Sequence, residues 1–129
     1  MIFVDTSVWV AALRAGEGRE ADHLRQLLDT HEVALAIVVK LEILSGASRH
    51  DRPRLKRTLS ALPTFFPSGA TWPIIEGWLE LASNGGQKFG IADLLIGALA
   101  AETRSTLWSL DSDFERLADL GVVRLHRPR

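Results

Sequence analysis

The chain has 129 residues, of which 47% are hydrophobic and 24% charged; these are the proportions of a globular domain and exclude disorder as a description of the whole. Fifteen Lys and Arg stand against 16 Asp and Glu, a net charge of −1, so a role with nucleic acid needs a local basic patch and not a global field. Cysteine and tyrosine are both absent. That excludes disulfides, Cys-ligated zinc, iron–sulfur clusters, a thiol nucleophile and a phenolic acid, and it fits a reducing compartment.

Ile2, Phe3 and Val4 form a short β-rich apolar run ended by Asp5, which reads as a first strand buried on both faces. Thr6 or Ser7 is expected to cap a helix reaching about Leu13, broken by Gly16 and Gly18. Residues 19–30 place Leu24, Leu27 and Leu28 on one face of a second helix. A strand at 33–36 leads into a helix at 38–47, with Gly46 near its end. Residues 52–62 read as a helix with Leu55, Leu59 and Leu62 in one stripe and basic residues opposite. A short strand at 65–66 lies between Pro63 and Pro67, and a helix at 72–82 carries Pro73 in its first turn.

A loop at 83–90 precedes residues 91–103, apolar almost all round and therefore a buried helix. A strand at 106–110, a helix at 111–120 stopped by Gly121, and a last strand at 122–125 complete the chain. Strands alternating with helices indicate an α/β domain, one domain over 1–129, with a mainly parallel sheet and helices on both faces. The longest apolar runs, 33–39 and 94–101, fall well short of the roughly 18 residues that span a bilayer. With neither a basic leader nor a cleavage site at the N-terminus, the expectation is a cytoplasmic protein without a membrane partner.

Four acidic residues stand in apolar text: Asp5 after Ile-Phe-Val, Glu42 in Val-Val-Lys-Leu-Glu-Ile-Leu, Asp93 in Ile-Ala-Asp-Leu-Leu-Ile, and Asp111 after Thr-Leu-Trp-Ser-Leu, with Asp113 two residues on. Taken singly, each reads as a helix cap or a surface pair. Taken together they imply buried carboxylates, which must be paired, protonated or metal-bound, and only Lys40 lies close in sequence. A hard divalent cation such as Mg²⁺ or Mn²⁺ is the natural partner. Asp5 and Asp111 both follow strands, so one sheet edge collects them. Asp93 lies in a first helical turn, and Gly97 on the same face allows close approach to that helix.

These segments resemble the PIN-domain family, specifically the VapC-type ribonuclease toxins of toxin–antitoxin pairs. The matching text is Ile2-Phe3-Val4-Asp5-Thr6-Ser7-Val8-Trp9, Leu41-Glu42-Ile43-Leu44-Ser45-Gly46-Ala47, Ile91-Ala92-Asp93-Leu94-Leu95-Ile96-Gly97-Ala98 and Leu107-Trp108-Ser109-Leu110-Asp111-Ser112-Asp113-Phe114. Each motif is weak alone; the ordered set, spread over the whole chain, is specific. Ser109 departs from the Thr often found before the last acidic pair, but keeps the hydroxyl.

The resemblance implies a three-layer α/β/α fold and an endoribonuclease that uses Mg²⁺ or Mn²⁺. Asp5, Glu42, Asp93 and Asp111 match the family's acidic quartet and its metal ligands, and Asp113 is a fifth member. Glu42 or Asp93 would orient or deprotonate the attacking water, leaving a 5′-phosphate and a 3′-hydroxyl. The resemblance further implies a homodimer and a VapB-type antitoxin partner. Thr6 and Ser7 either add hydroxyls to the site or cap the first helix.

An RNA substrate needs basic surroundings. Five Lys and Arg fall within 49–57, beginning with Arg49; Arg124, His126, Arg127 and Arg129 form a second cluster; Lys88 precedes the Asp93 helix. Each cluster equally suits a solvated face. Trp72, Trp78, Phe65 and Phe66 read as core, with a partner surface as the alternative. No phosphate-binding loop, nucleophile elbow or zinc spacing of histidines is present. Two other functions compete: aspartyl phosphotransfer at Asp5, weakened by the absence of D-x-D-G-T, and a catalytically inactive binding module.

Overall fold

The computed structural model describes residues 1–128, so Arg129 of the C-terminal basic cluster lies outside the described residues. Strands β1 (Ile2–Val4), β2 (Val33–Ala36), β3 (Thr64–Phe65) and β4 (Thr106–Trp108) form one parallel sheet in the order β3-β2-β1-β4. Between and after them run α1 (Thr6–Ala15), α2 (Arg19–Asp29), α3 (Ile37–Gly46), α4 (Arg52–Ser60), α5 (Thr71–Asn84), α6 (Ile91–Glu102) and α7 (Ser112–Asp119).

Ile2 pairs with Val33 on one side and Thr106 on the other. Every residue of β1 and β2 is buried, which is why these strands read as continuous apolar text and not as an alternation. The chain steps outward from β1 to β2 to β3, then returns to the far side of β1 for β4. Right-handed crossovers therefore send α1 to α4 to one face and α5 and α6 to the other. α1 packs on α2 and α3, while α6 packs on α5, α7, β1 and β4 and also meets α3. The strand order reverses between β1 and β4, so a ligand crevice is expected beyond the carboxyl ends of those two strands.

Phe3, Leu35, Leu94, Ile96, Leu107, Phe114 and Leu117 are fully buried, each contributing about 1.5–3 kcal/mol through removal from water. Gly97 allows the expected close approach to α6, and side chains make it. A Cβ there would stand 3.1 Å from Trp78 and 3.2 Å from Val123.

Several local expectations are corrected. Asp5, and not Thr6 or Ser7, caps α1, because its carboxylate accepts the Ser7 N–H. The strand at 122–125 reduces to one parallel bridge, Leu107 to Leu125. At this edge the Leu107 N–H donates to the Arg124 carbonyl, and the His126 N–H donates to the Leu107 carbonyl. The strand at 106–110 ends at Trp108, since Leu110 and Asp111 turn away to give their N–H groups to serine hydroxyls. Phe66 and Trp72 are not core: they are 63% and 47% exposed. Phe65 and Trp78 do pack against the core, with the Phe65 ring 5.2 Å from that of Phe3.

Candidate active site

The end of β1 delivers Asp5 into the crevice between β1 and β4. It is only 5% exposed, and no ion pair offsets its burial among the described residues. Hydrogen bonds do so instead. Oδ2 accepts the Ser7 hydroxyl at 2.7 Å, the Ser109 hydroxyl at 2.8 Å and the Ser7 N–H at 3.4 Å. The two hydroxyl oxygens in turn accept the N–H groups of Leu110 and Asp111, at 3.0 and 2.9 Å. Each serine thus spends its proton on one carboxylate oxygen and its lone pair on the β4–α7 turn. Oδ1 takes no hydrogen bond among the described residues.

A second group of carboxylates stands on the helix ends around this floor. Asp111 caps α7, accepting the Asp113 N–H at 2.9 Å. Asp93 lies in the first turn of α6, whose cap, Gly90, offers no side chain. Asp93, Asp111 and Asp113 each present an oxygen within 4.8 Å of the others. Glu42, from α3, is held by the Thr6 hydroxyl at 2.8 Å. Burial, followed by the negative charges of Asp111, Asp5, Asp113 and Glu42, pushes the Asp93 carboxyl up to about 6. All five acids therefore share one electrostatic neighbourhood.

The expectation of four buried carboxylates holds only for Asp5. Asp93 and Asp113 are half-buried, and Glu42 and Asp111 reach the surface. The apolar neighbours of Glu42 in sequence misled because they belong to another face: Val39 and Ile43 are buried while Leu41 and Glu42 point outward. Crowding of like charges at a crevice mouth takes the place of uniform burial. Lys40 does not relieve it, since its ammonium bonds Ser60. Asp5, Glu42, Asp93 and Asp111 make no ion pair among the described residues.

Asp113 has a partner that the sequence reading missed. Arg116 bonds its carboxylate at 2.7 Å, lies 4.3 Å over the Phe89 ring and reaches the Lys88 carbonyl at 3.4 Å. The Asp–x–x–Arg spacing on one helix was the available signal. Through this arginine the loop bearing Lys88 is tied to the acidic mouth, and the Lys88 side chain is exposed. Arg49 sits in the turn between α3 and α4 and makes no ion pair with the five acids among the described residues.

The basic runs are partly consumed by the fold. Arg52 bonds the Leu44 and Ala47 carbonyls at the end of α3. Arg127 donates two hydrogen bonds to the Glu115 carboxylate, and Arg124 donates to the Arg104 carbonyl. Also unforeseen is the pairing of His23 with His126, Nε2 to Nε2 at 2.8 Å, beside the Trp108 ring.

Oxygen-only donors, clustered and short of cations, suit a hard divalent ion such as Mg²⁺ or Mn²⁺. Residues 2–120 match the PIN domain family. The chain is 32% identical over 123 residues to ribonuclease VapC11 of Mycobacterium tuberculosis, covering 92% of each. Its fold is similar to that of VapBC2 from Rickettsia felis, solved bound to a DNA fragment from its promoter: TM-score 0.77, 22% identity, 98% of both chains. It is similar also to VapBC-1 of nontypeable Haemophilus influenzae, with TM-score 0.76 at 17% identity over 98% of this chain and 97% of that one.

Proposed function

The chain belongs to the PIN-domain family, and from that premise we propose that it is a metal-dependent endoribonuclease, the toxin of a type II toxin–antitoxin pair, acting as one domain over residues 1–129. The observation that carries this reading is the convergence of five carboxylates on the β1/β4 switch point, four of them without an ion pair among the described residues. The 32% identity to a VapC ribonuclease over 92% of both chains supports the reaction class.

Asp93, Asp111 and Asp113, with Asp5 beside them, are the residues that would hold Mg²⁺ or Mn²⁺. Such an ion, when bound, lowers the pKa of a water and neutralises charge on the scissile phosphate. Asp5 is positioned for this role by Ser7 and Ser109, whose hydroxyls fix one of its oxygens and leave the other free. Glu42 stands outside the tight trio and is held by Thr6. It is therefore the residue to orient or deprotonate the attacking water, leaving a 5′-phosphate and a 3′-hydroxyl. Lys88, on the loop tied to Arg116, meets the RNA backbone. The contribution of Arg49 is to the wider basic surface of α4.

A VapB-type antitoxin is the expected partner, since the solved relatives named above are VapBC pairs, and a homodimer is the expected assembly. No helix among the described residues is long and apolar enough to cross a membrane. The reading is tested by incubating the protein, freed of any antitoxin, with total RNA in Mg²⁺, in Mn²⁺ and in EDTA, beside Asp93→Asn. Cleavage that needs the metal and vanishes in the variant is the expected result. A folded protein that neither binds Mn²⁺ nor cuts RNA would leave the inactive binding module as the better account.

A further inference from the structure

A second concavity opens beside the acidic mouth and has no part in the scheme above. It is a cleft of about 310 Å³ lined by Arg19 and Glu20 of α2, by Trp108, Ser109 and Leu110 leaving β4, and by His126 and its C-terminal neighbours. This volume lies at the small end of ligand sites, roughly 300–1,000 Å³. Its wall is shared with the acidic site: Ser109 lines the cleft while its hydroxyl holds Asp5, and Leu110 directly precedes Asp111.

We propose that this cleft is a nucleotide subsite, which receives the base and phosphate flanking the bond to be cut. The inference rests on the ribonuclease reading and adds where specificity for the neighbouring nucleotide resides. Three features carry it. First, α2 follows Gly18, which supplies no capping side chain, and of the two acids in its first turn Asp22 is paired with Arg25, so the opening N–H groups can meet an anion. Second, the Arg19 guanidinium adds a phosphate donor at that same end and is in no ion pair among the described residues. Third, the far wall sets apolar and aromatic surface beside Arg127, whose guanidinium is held by Glu115. Leu110 is 51% exposed at the lip, and the His126 ring is fixed by His23 and edge-packed on Trp108.

A single-stranded nucleotide fits that division, with its phosphate on Arg19 and α2 and its base against Leu110 and the imidazole. Glu20, half-buried in the same wall, opposes a phosphate placed centrally. It thereby confines the phosphate to the Arg19 side and offers an acceptor to a base's exocyclic amino group. A stacked duplex does not enter such a cleft, which selects for unpaired RNA.

The test separates binding from cutting. A pool of 5′-labelled random hexaribonucleotides is titrated by anisotropy into the Asp93→Asn protein with Mg²⁺, so that RNA is bound without being cut. Arg19→Glu and Leu110→Ala in that background are each expected to weaken binding about tenfold. Arg25→Glu, an equal charge change on the outer face of α2, is expected to leave it within twofold. In the cleaving protein, Arg19→Glu raises KM more than it lowers kcat. Loss of binding by the two cleft variants alone supports the subsite even if the unsubstituted protein cuts no RNA, in which case only the ribonuclease reading falls. Unchanged binding in both cleft variants, an equal loss in Arg25→Glu, or no binding of the pool at all overturns the proposal.

Discussion

The floor of the acidic crevice and its rim hold the same functional group in opposite states. On the floor, Asp5 is buried and all its contacts are donors: two hydroxyls and an N–H on one oxygen. On the rim, Asp93, Asp111 and Asp113 crowd within 4.8 Å, and the Asp93 carboxyl is pushed up to about 6 by burial and by its acidic neighbours. The floor is satisfied by the fold and contributes to its stability. At the rim, Asp111 caps α7 and Asp113 is paired with Arg116, while Asp93 opposes the fold through its burial and its acidic neighbours. Carboxylates that look alike in sequence thus serve different ends, and the difference lies in which polar groups the tertiary structure brings to each.

The largest test of that contrast is Asp93→Asn. RNA cleavage is expected to fall by roughly 10²–10³-fold, as when a group stabilising the transition state is removed, while the metal-free protein at pH 7 becomes more stable. Urea unfolding in EDTA beside the cleavage assay checks both halves, and a destabilised variant would break the comparison. Asp5→Ala is expected to do the reverse to the fold. Leaving two half-buried serine hydroxyls and a helix N-terminus without their acceptor costs about 1–3 kcal/mol; the loss is already present in EDTA and grows in Mg²⁺, where a residue that would hold the ion is gone as well.

Smaller effects sharpen the boundary between the two regions. Ser109→Ala removes one donor from Asp5 and one acceptor from the Asp111 N–H, and is expected to weaken Mn²⁺ binding about 10–100-fold as an outer-shell change. Ser109→Thr keeps the hydroxyl and should restore affinity in calorimetric titration. The rim also sets a pH dependence. Native Asp93 keeps its proton to a higher pH than the unfolded chain, from the ordinary 3.8 to about 6. Its contribution is therefore present below pH 3.8 and is lost as pH rises through about 6. The stability difference between Asp93→Asn and the unsubstituted protein, both in EDTA, should widen over that window in favour of the variant. Metal affinity should rise across it as the proton leaves.

The smallest expected effect belongs to Arg116. Its bond to Asp113 is more than a third exposed on both sides, and Arg116→Gln should cost no more than about 1 kcal/mol. Loosening of the loop that carries Lys88 would be the larger consequence, visible as faster amide exchange in 85–90.

Much of this protein is written locally. A three-residue apolar run ended by Asp5, and the first four residues of the 33–39 run, mark strands covered on both faces. The 91–102 segment reads as buried because it is apolar around the whole helix. Right-handed connection then leaves few ways to order the strands. The acidic residues were legible as a set for the same reason: charges set in apolar text are rare, and strand ends gather them. Their burial was not legible. Whether Glu42 or Val39 faces inward depends on which side of α3 meets α1 and the sheet, and period alone does not choose between them.

The remainder is tertiary. That Ser7 and Ser109, 102 residues apart, converge on one oxygen of Asp5 follows only from the pairing of β1 with β4. The cleft beside them exists because α2 and the C-terminal segment meet at His23 and His126, 103 residues apart. The exposure of Trp72 and Phe66 was decided by how α5 and the end of β3 seat on the core. Composition and period report which residues prefer to leave water, since that preference is additive along the chain. Which polar groups share a pocket depends on long-range register, and that is fixed only when the sheet closes its order.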